Sequence, residues 1–401
     1  MHLPQSKKHP LFNCGNPNCP ECSKAFSRIK VSEKIIKKDF VSDAVSPFVG
    51  RFNYPDINVG ILAPPEEKED AWLYDAPRFW AENRLEIPQI IDYRTSLINS
   101  SFKSSVRQRG KFLELIQDAA MASRPADIEI NLEEKPSFRP NADSVAAPTG
   151  PNAKLKKARL TENPNIHTKV QKVHYDKDMK ANEALLYLYE NDFDENFLSR
   201  ALSVGNFGLE RNRKLVPTRW SITATDDTLG KYLIEEVKKY NHVNYQAYFG
   251  SHLGNHYLIL FFPDAFGYEL FEAHVSNPEH FMTDFEFHTG RKYYAEDTAG
   301  GYYTVRLAIL EKMRRLKRQG SAIALRFITG DYTLPLGVWV TREAARNAMK
   351  SRPIDFSSKE LMIEYAKKLI KNKFNCDAGL YLGQSRILKE MGSQAKLMRF
   401  I

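Results

Sequence analysis

VNYQAYFG-SHLGN-HYLILFF, residues 243–262, decides the fold class. Two aromatic-rich runs flank a short segment containing Gly254-Asn255, which is the signature of a β-hairpin. Working outward, SAIALRFIT (321–329) and LGVWV (336–340) read as further strands. YYTVRLAILEKMRRLKRQG (302–320) and SSKELMIEYAKKLIKNK (357–373) read as helices. Upstream, RWSITATDD (219–227) is predicted to be a strand, and TLGKYLIEEVKKYN (228–241) a helix starting at Asp226 or Asp227. Two more helices are expected at about 178–190 and 194–204, a helix over Phe102–Ala122, and an alternating strand over Asp127–Leu132. SPFVGRFNYPDINVGILAPP (46–65) sets Val49, Phe52, Ile57, Val59 and Ile61 among glycines and prolines, giving short strands and turns. Residues 136–165, rich in Pro, Ala and polar residues, suit a linker or a long loop wrapping over the fold. Strands and helices mix without a steady βαβ rhythm and without a repeat of 20 to 50 residues. The expected class is α+β, with mixed sheets and packed helices.

At 401 residues, with 42% hydrophobic content, the chain has room for one large core or two domains. Lys and Arg outnumber Asp and Glu by 58 to 49, and the resulting +9 favours a polyanionic partner, nucleic acid above all. No apolar run approaches the roughly 20 residues needed to span a bilayer. The opening MHLPQSKKHP lacks the apolar stretch of a signal peptide. A cytoplasmic protein with no membrane partner is expected.

The two ends carry the sharpest signals. Cys14, Cys19 and Cys22 fall in HPLFNCGNPNCPEC, a Cys-x4-Cys-x2-Cys run broken by tight-turn residues that let thiolates converge on one metal. Tetrahedral zinc needs a fourth ligand. His9 is the best placed, with His2 and Cys376 as alternatives. Zinc is favoured over an iron–sulfur cluster, for which similar spacings occur. At the other end, Gln394-x-x-Leu397-x-x-Phe400-Ile401 resembles the peptide by which proteins dock on the sliding clamp PCNA. One helical turn puts Leu397, Phe400 and Ile401 on one side as a plug for an apolar pocket and leaves Gln394 to hydrogen-bond beside it. Lys396 and Arg399 would face an acidic clamp surface. The final Ile401 stands where a second aromatic is common, which weakens the plug. Gln384–Met391 has a similar spacing, but Glu390 occupies its aromatic position, so it reads as part of a helix.

Three internal constellations could contact DNA or do chemistry. In GLERNRKLVPTRW, Arg211, Arg213, Lys214 and Arg219 cluster in a loop before Trp220, and the guanidinium fork suits phosphate. The bland alternative is surface arginines around a core tryptophan. Asp226-Asp227, joined by Glu296 and Asp297, could hold Mg²⁺ for phosphodiester cleavage, although an aspartate helix cap is the better reading. AGGYYTVR places Gly300-Gly301 before a helix expected to expose Arg306, Arg314, Arg315, Lys317 and Arg318. Glycines at a helix N-terminus admit a phosphate, while basic residues at its C-terminal end also complement the helix dipole. His252-x3-His256 carries little weight as a metal pair, because Gly254-Asn255 makes a turn between the two.

KLVPTRWSITATDD (214–227), together with FVGRFNYPDINVG, SRPADIEINLEEKPSF, GPNAKLKKARLTENP, SRALSVGNFGLERNRKLVP, GGYYTVRLAILE and LPLGVWVTRE, resembles the Nre family of archaeal DNA-repair proteins. The blocks fall in order over nearly the whole chain. The resemblance implies an N-terminal metal-binding finger, a clamp-binding C-terminus and a role at damaged DNA, but no catalytic residue. The family pattern carries an upstream Cys-x2-Cys pair before CG-x3-CP. Here only Cys14-Gly15 and Cys19-Pro20 match, with Cys22 and His9 standing in. The expected division is a zinc finger over 1–25, the family's N-terminal region over 26–135, a linker or wrapping loop over 136–177, the C-terminal region over 178–375 and a flexible tail over 376–401. Two functions stay open at this level: a DNA-repair factor with a basic DNA face that includes Arg211, Arg213, Lys214, Arg219 and Arg306, or a clamp-tethered metal-dependent nuclease.

Overall fold

The computed structural model describes residues 37–137 and 149–393. The described residues fall into two compact units, the first formed by those up to 228 with 333–336 and the second by 229–332 with 337–393. The proposed finger ligands Cys14, Cys19, Cys22 and His9, and the clamp residues Gln394, Leu397, Phe400 and Ile401, lie outside the described residues.

In the first unit, β1 (Asp39–Ala44), β2 (Ser46–Val49), β3 (Asp56–Ala63), β4 (Ile98–Ser105), β5 (Ala126–Leu132) and β6 (Asn152–Leu160) form one sheet in the order β1-β5-β6-β4-β3-β2. Only the β4–β6 pair is parallel. Between β3 and β4 run the short helix α1 (Pro77–Glu82) and α2 (Ile87–Ser96); α3 (Lys111–Met121) follows β4. Period-two alternation buries Ala126, Ile128, Ile130 and Leu132 of β5, and the last three share one core cluster with Leu113, Ile116, Ala119 and Ala120 of α3. Residues 102–105 therefore belong to a strand, and the helix expected from Phe102 begins at Lys111. The stretch expected as a linker contains β6, which buries only Ala153 and Leu155 and shows Lys154, Lys156, Lys157 and Arg159 to solvent. Such a strand looks like a polar loop in sequence, since one face meets water and the other contributes small residues. α4 (Thr168–Tyr175), α5 (Ala181–Tyr189) and α6 (Glu195–Ser203) follow; α6 is capped by the Asp194 side chain, which accepts from Asn196 N and Phe197 N.

RWSITATDD is helical. It opens α7 (Thr218–Val237), where Ser221, Thr225, Asp226, Leu229, Leu233 and Val237 recur at helical spacing on the buried side. Trp220, Ile222 and Ala224 alternate with polar residues and so mimic a strand. The true inward positions carry Ser, Thr and Asp, which hides the helical period. Asp226 and Asp227 sit inside the helix and so are not its N-cap.

In the second unit the hairpin forms as read. β8 (Tyr245–His252) and β9 (Asn255–Phe262) pair antiparallel, after the two-residue β7 (Asn241–His242). Leu253 and Gly254 make a two-residue turn with φ of 47° and 73°, and a Cβ on Gly254 would meet Tyr332 N at 2.5 Å. β10 (Gly267–His274), β11 (Asn277–Glu286), β13 (Ser321–Ile328) and β14 (Ile354–Phe356) complete a sheet in the order β11-β10-β13-β9-β8-β14, with β10 parallel to β13; β12 (Arg318–Gln319) pairs β7. α8 (Ala299–Leu316) lies between β11 and β12 in the chain, and α9 (Trp339–Lys350) packs against α8, β8 and β9. α10 (Lys359–Phe374), α11 (Gly379–Leu382) and α12 (Arg386–Ser393) bring Met362, Ala366, Ile370, Tyr381 and Ile387 onto the sheet residues Leu258, Leu260, Phe271, Leu325 and Phe327. With helices against both faces, all eight residues of β13 are buried. LGVWV is not a strand, because Trp339 and Val340 open α9. A short apolar run carries no period that separates strand from helix. Gln384–Met391 is largely helical, as expected. Cys376, one alternative for the fourth metal ligand, is buried in the core with its thiol donating to Phe374 O at 3.4 Å. The protein is α+β with mixed sheets, and among the described residues no helix is long and apolar enough to cross a membrane.

Candidate nucleic-acid interface

Three segments of the first unit converge on one exposed face: the β2–β3 turn (residues 50–56), the β4–α3 turn (106–110) and the approach to α7 (209–220). Backbone bonds tie them together, Val106 N donating to Pro55 O at 3.0 Å and Leu215 N to Val106 O at 2.8 Å. Val49 N donates to Thr218 Oγ1 at 3.0 Å, so the start of α7 is pinned to the end of β2. Buried Leu215 anchors the loop in the core, which leaves its neighbours Arg211 and Lys214 outward.

Arg211, Lys214 and Arg219 are exposed. Arg213 is half-buried and committed inward, its Nε donating to Gly208 O at 2.7 Å and its Nη2 to Asp176 O at 2.9 Å. It braces the loop. Trp220 is 46% exposed, so it is no core tryptophan, and its ring meets Tyr54 at 5.2 Å. Lys214 Nζ reaches Tyr54 Oη at 3.4 Å, and Arg51 lies 5.0 Å from the centre of the Phe52 ring. Phe52, expected among the strand residues, sits in the turn at 73% exposure. Arg107 and Arg109 are exposed in the neighbouring turn. Lys177, 3.0 Å from Glu210, holds the Glu210 carboxyl below its usual range, with Arg109 and Arg213 adding to the effect. Sequence reading missed Phe52, Tyr54, Arg107 and Arg109. The signal was present in GRFNYPD and VRQRG, but only the fold sets these turns beside residues 211–220.

Arg306 does not belong to an exposed face. It is 1% exposed in α8, and its Nη1 holds both carboxylate oxygens of Glu286 at 3.1 Å. The Gly300-Gly301 start of α8 is likewise occupied from within the unit. A Cβ on Gly301 would stand 2.7 Å from Glu272 Oε1, so a carboxylate of the same unit fills the approach that a phosphate would need. Glu272 in turn accepts from Arg326 Nη1 at 2.6 Å. Burial works against the Arg326 charge, but the adjacent carboxylate outweighs it and the guanidinium pKa is raised. On the other face of β10, Glu269 accepts from Arg386 N at 2.9 Å and Ile387 N at 3.2 Å and so caps α12. At the far end of α8, Arg314 pairs with Glu236 at 3.0 Å, while Arg315, Lys317 and Arg318 are exposed where cations complement the helix dipole. Glu296 and Asp297 are exposed in the loop before α8. Among the described residues, no group of three or more His, Cys, Asp or Glu side chains is placed to hold a metal.

Fold and face define a two-unit α+β protein with a basic, aromatic-bearing surface on its first unit. The chain belongs to the archaeal Nre family: the models of its N-terminal and C-terminal regions match residues 13–278 and 286–400. It is 37% identical over 341 residues to the DNA repair protein NreA of Haloferax volcanii, covering 80% of this chain and 81% of that protein. It is 33% identical over 396 residues, 97% of each chain, to the DNA repair protein NreB of Archaeoglobus fulgidus. No solved structure matches.

Proposed function

We propose that this protein is a DNA-repair factor that grips DNA phosphates with the face around Arg211, Lys214 and Arg219 and is recruited to the PCNA sliding clamp by residues 394–401. The repair role is supported by the relatives, which are named DNA repair proteins. The observation that carries the DNA face is the convergence of outward cations from three turns onto one surface. Besides the inward Arg213, segments 50–56, 106–110 and 209–220 hold six Lys or Arg against Asp56 and Glu210, and Glu210 is paired with Lys177. Arginine and lysine held outward by a rigid scaffold neutralise phosphates and release counterions.

The test is DNA binding by the full chain at several salt concentrations, compared with an Arg211→Ala/Lys214→Ala/Arg219→Ala variant. The parent should weaken steeply with salt, and the variant's slope should be shallower by about 2 to 3 units, roughly one per lost phosphate contact. A folded variant with the parent's affinity and slope rules the face out. Arg213→Ala should instead lower stability, since its guanidinium is spent on two backbone carbonyls.

A further inference from the structure

We propose that Tyr54, Trp220 and Phe52 form a stacking platform for unpaired nucleobases, so that the favoured ligand is single-stranded or locally opened DNA. The inference rests on the phosphate-binding reading and adds the class of DNA. Three large aromatic side chains of the first unit are exposed by 41%, 46% and 73% on the same face as the outward cations. Their apolar rings gain nothing from facing water, and each is held there by its surroundings. Tyr54 leans on Trp220 and takes Lys214 at its hydroxyl. Trp220 stands in the first turn of α7, one residue after Arg219, and that turn is pinned by Val49 N on Thr218 Oγ1. Phe52 projects from the turn beneath the Arg51 guanidinium.

A duplex hides the faces of its bases, so against a duplex these rings could touch only backbone. A single strand presents backbone and base faces together. Cations that track phosphates, interleaved with aromatic side chains on which bases stack, are the two components of single-strand recognition, and such stacking tolerates any base because each has a π-face. Arg51 and Arg219 can add to it by lying over a base plane. An uncharged apolar partner would not need the surrounding cations. An acidic protein would need the cations but not planar rings in an open arrangement.

The test uses the full chain and three labelled probes of equal length: a mixed-sequence single strand, the same strand annealed into a duplex, and an oligomer with the same sugar-phosphate backbone but no bases. The parent should bind the base-bearing strand at least about 10-fold more tightly than the base-free one, in line with stacking contributions per base. Tyr54→Leu/Trp220→Leu should lose that preference and keep its affinity for the base-free oligomer. Should the double variant misfold, Phe52→Ala at the turn should still narrow the preference without touching the core. A parent that binds base-free and base-bearing strands equally, or folded aromatic variants that keep the preference, overturns the platform. If binding then still falls with the Arg211, Lys214 and Arg219 changes, the phosphate face survives alone. A parent that binds none of the probes overturns both.

Discussion

Gly301→Ala is the substitution that most directly tests how the second unit is held together. The added methyl would sit 2.7 Å from Glu272 Oε1, closer than side-chain carbons are found to oxygen, so the carboxylate must move. It has little freedom to do so, because it is buried and accepts from Arg326 Nη1 at 2.6 Å. Arg326 is held on its other side by the Asn255 amide oxygen, which its Nε reaches at 3.0 Å. Breaking a buried ion pair costs roughly 3–5 kcal/mol. Replacing glycine by alanine in a helix returns about 0.5–1 kcal/mol. The expected net loss is therefore about 2–4 kcal/mol, read from urea unfolding followed by far-UV circular dichroism. A double-mutant cycle with Glu272→Ala isolates the cause. Without the carboxylate the methyl has room, so the same change should become neutral or slightly stabilising. An equal cost in both backgrounds, or none in either, refutes the reasoning.

The remaining expectations concern protons, metal and the tail. Burial lowers the His252 pKa to about 4, so the imidazole is neutral in the fold while the unfolded chain protonates near 6.5. Stability from this group is thus complete above pH 6.5 and is lost as pH falls toward 4, on the order of 3 kcal/mol in all. His252→Phe, which keeps a ring against Trp339, should flatten that part of the stability–pH curve; an unchanged curve would exclude the histidine as its source. Elemental analysis of purified protein should find one zinc, lost on Cys14→Ser or Cys19→Ser, while iron with visible absorption would point to a cluster and no metal would end the finger proposal. Leu397→Ala and Phe400→Ala should each weaken binding to the clamp by about 2 kcal/mol with DNA affinity unchanged. Deletion of 393–401 that lowers thermal stability and leaves clamp affinity intact would mean the tail packs on its own body.

Elements whose burial is carried by apolar side chains are legible in the amino-acid order alone. The 243–262 hairpin, SAIALRFI and the helices of 302–316 and 359–373 put Leu, Ile, Phe and Tyr at the inward positions, so composition and turn residues were enough. It also supplied the cysteine run and the terminal motif, which are patterns of spacing. Tertiary structure alone decided the places where polar residues do the inward work. α7 buries Ser221, Thr225 and Asp226, β6 buries only alanine and leucine among lysines, and Gly301 makes space for Glu272. Charge type in the sequence does not say whether a cation faces water. Arg306 and Arg213 are turned inward by Glu286 and by backbone carbonyls, while Lys214 and Arg219 are left outward. The proposed interface was half legible for the same reason. Its arginines cluster in one stretch, but Phe52, Tyr54, Arg107 and Arg109 come from turns more than 100 residues away, and only the pairing of β2, β3 and β4 with the approach to α7 sets them on one surface.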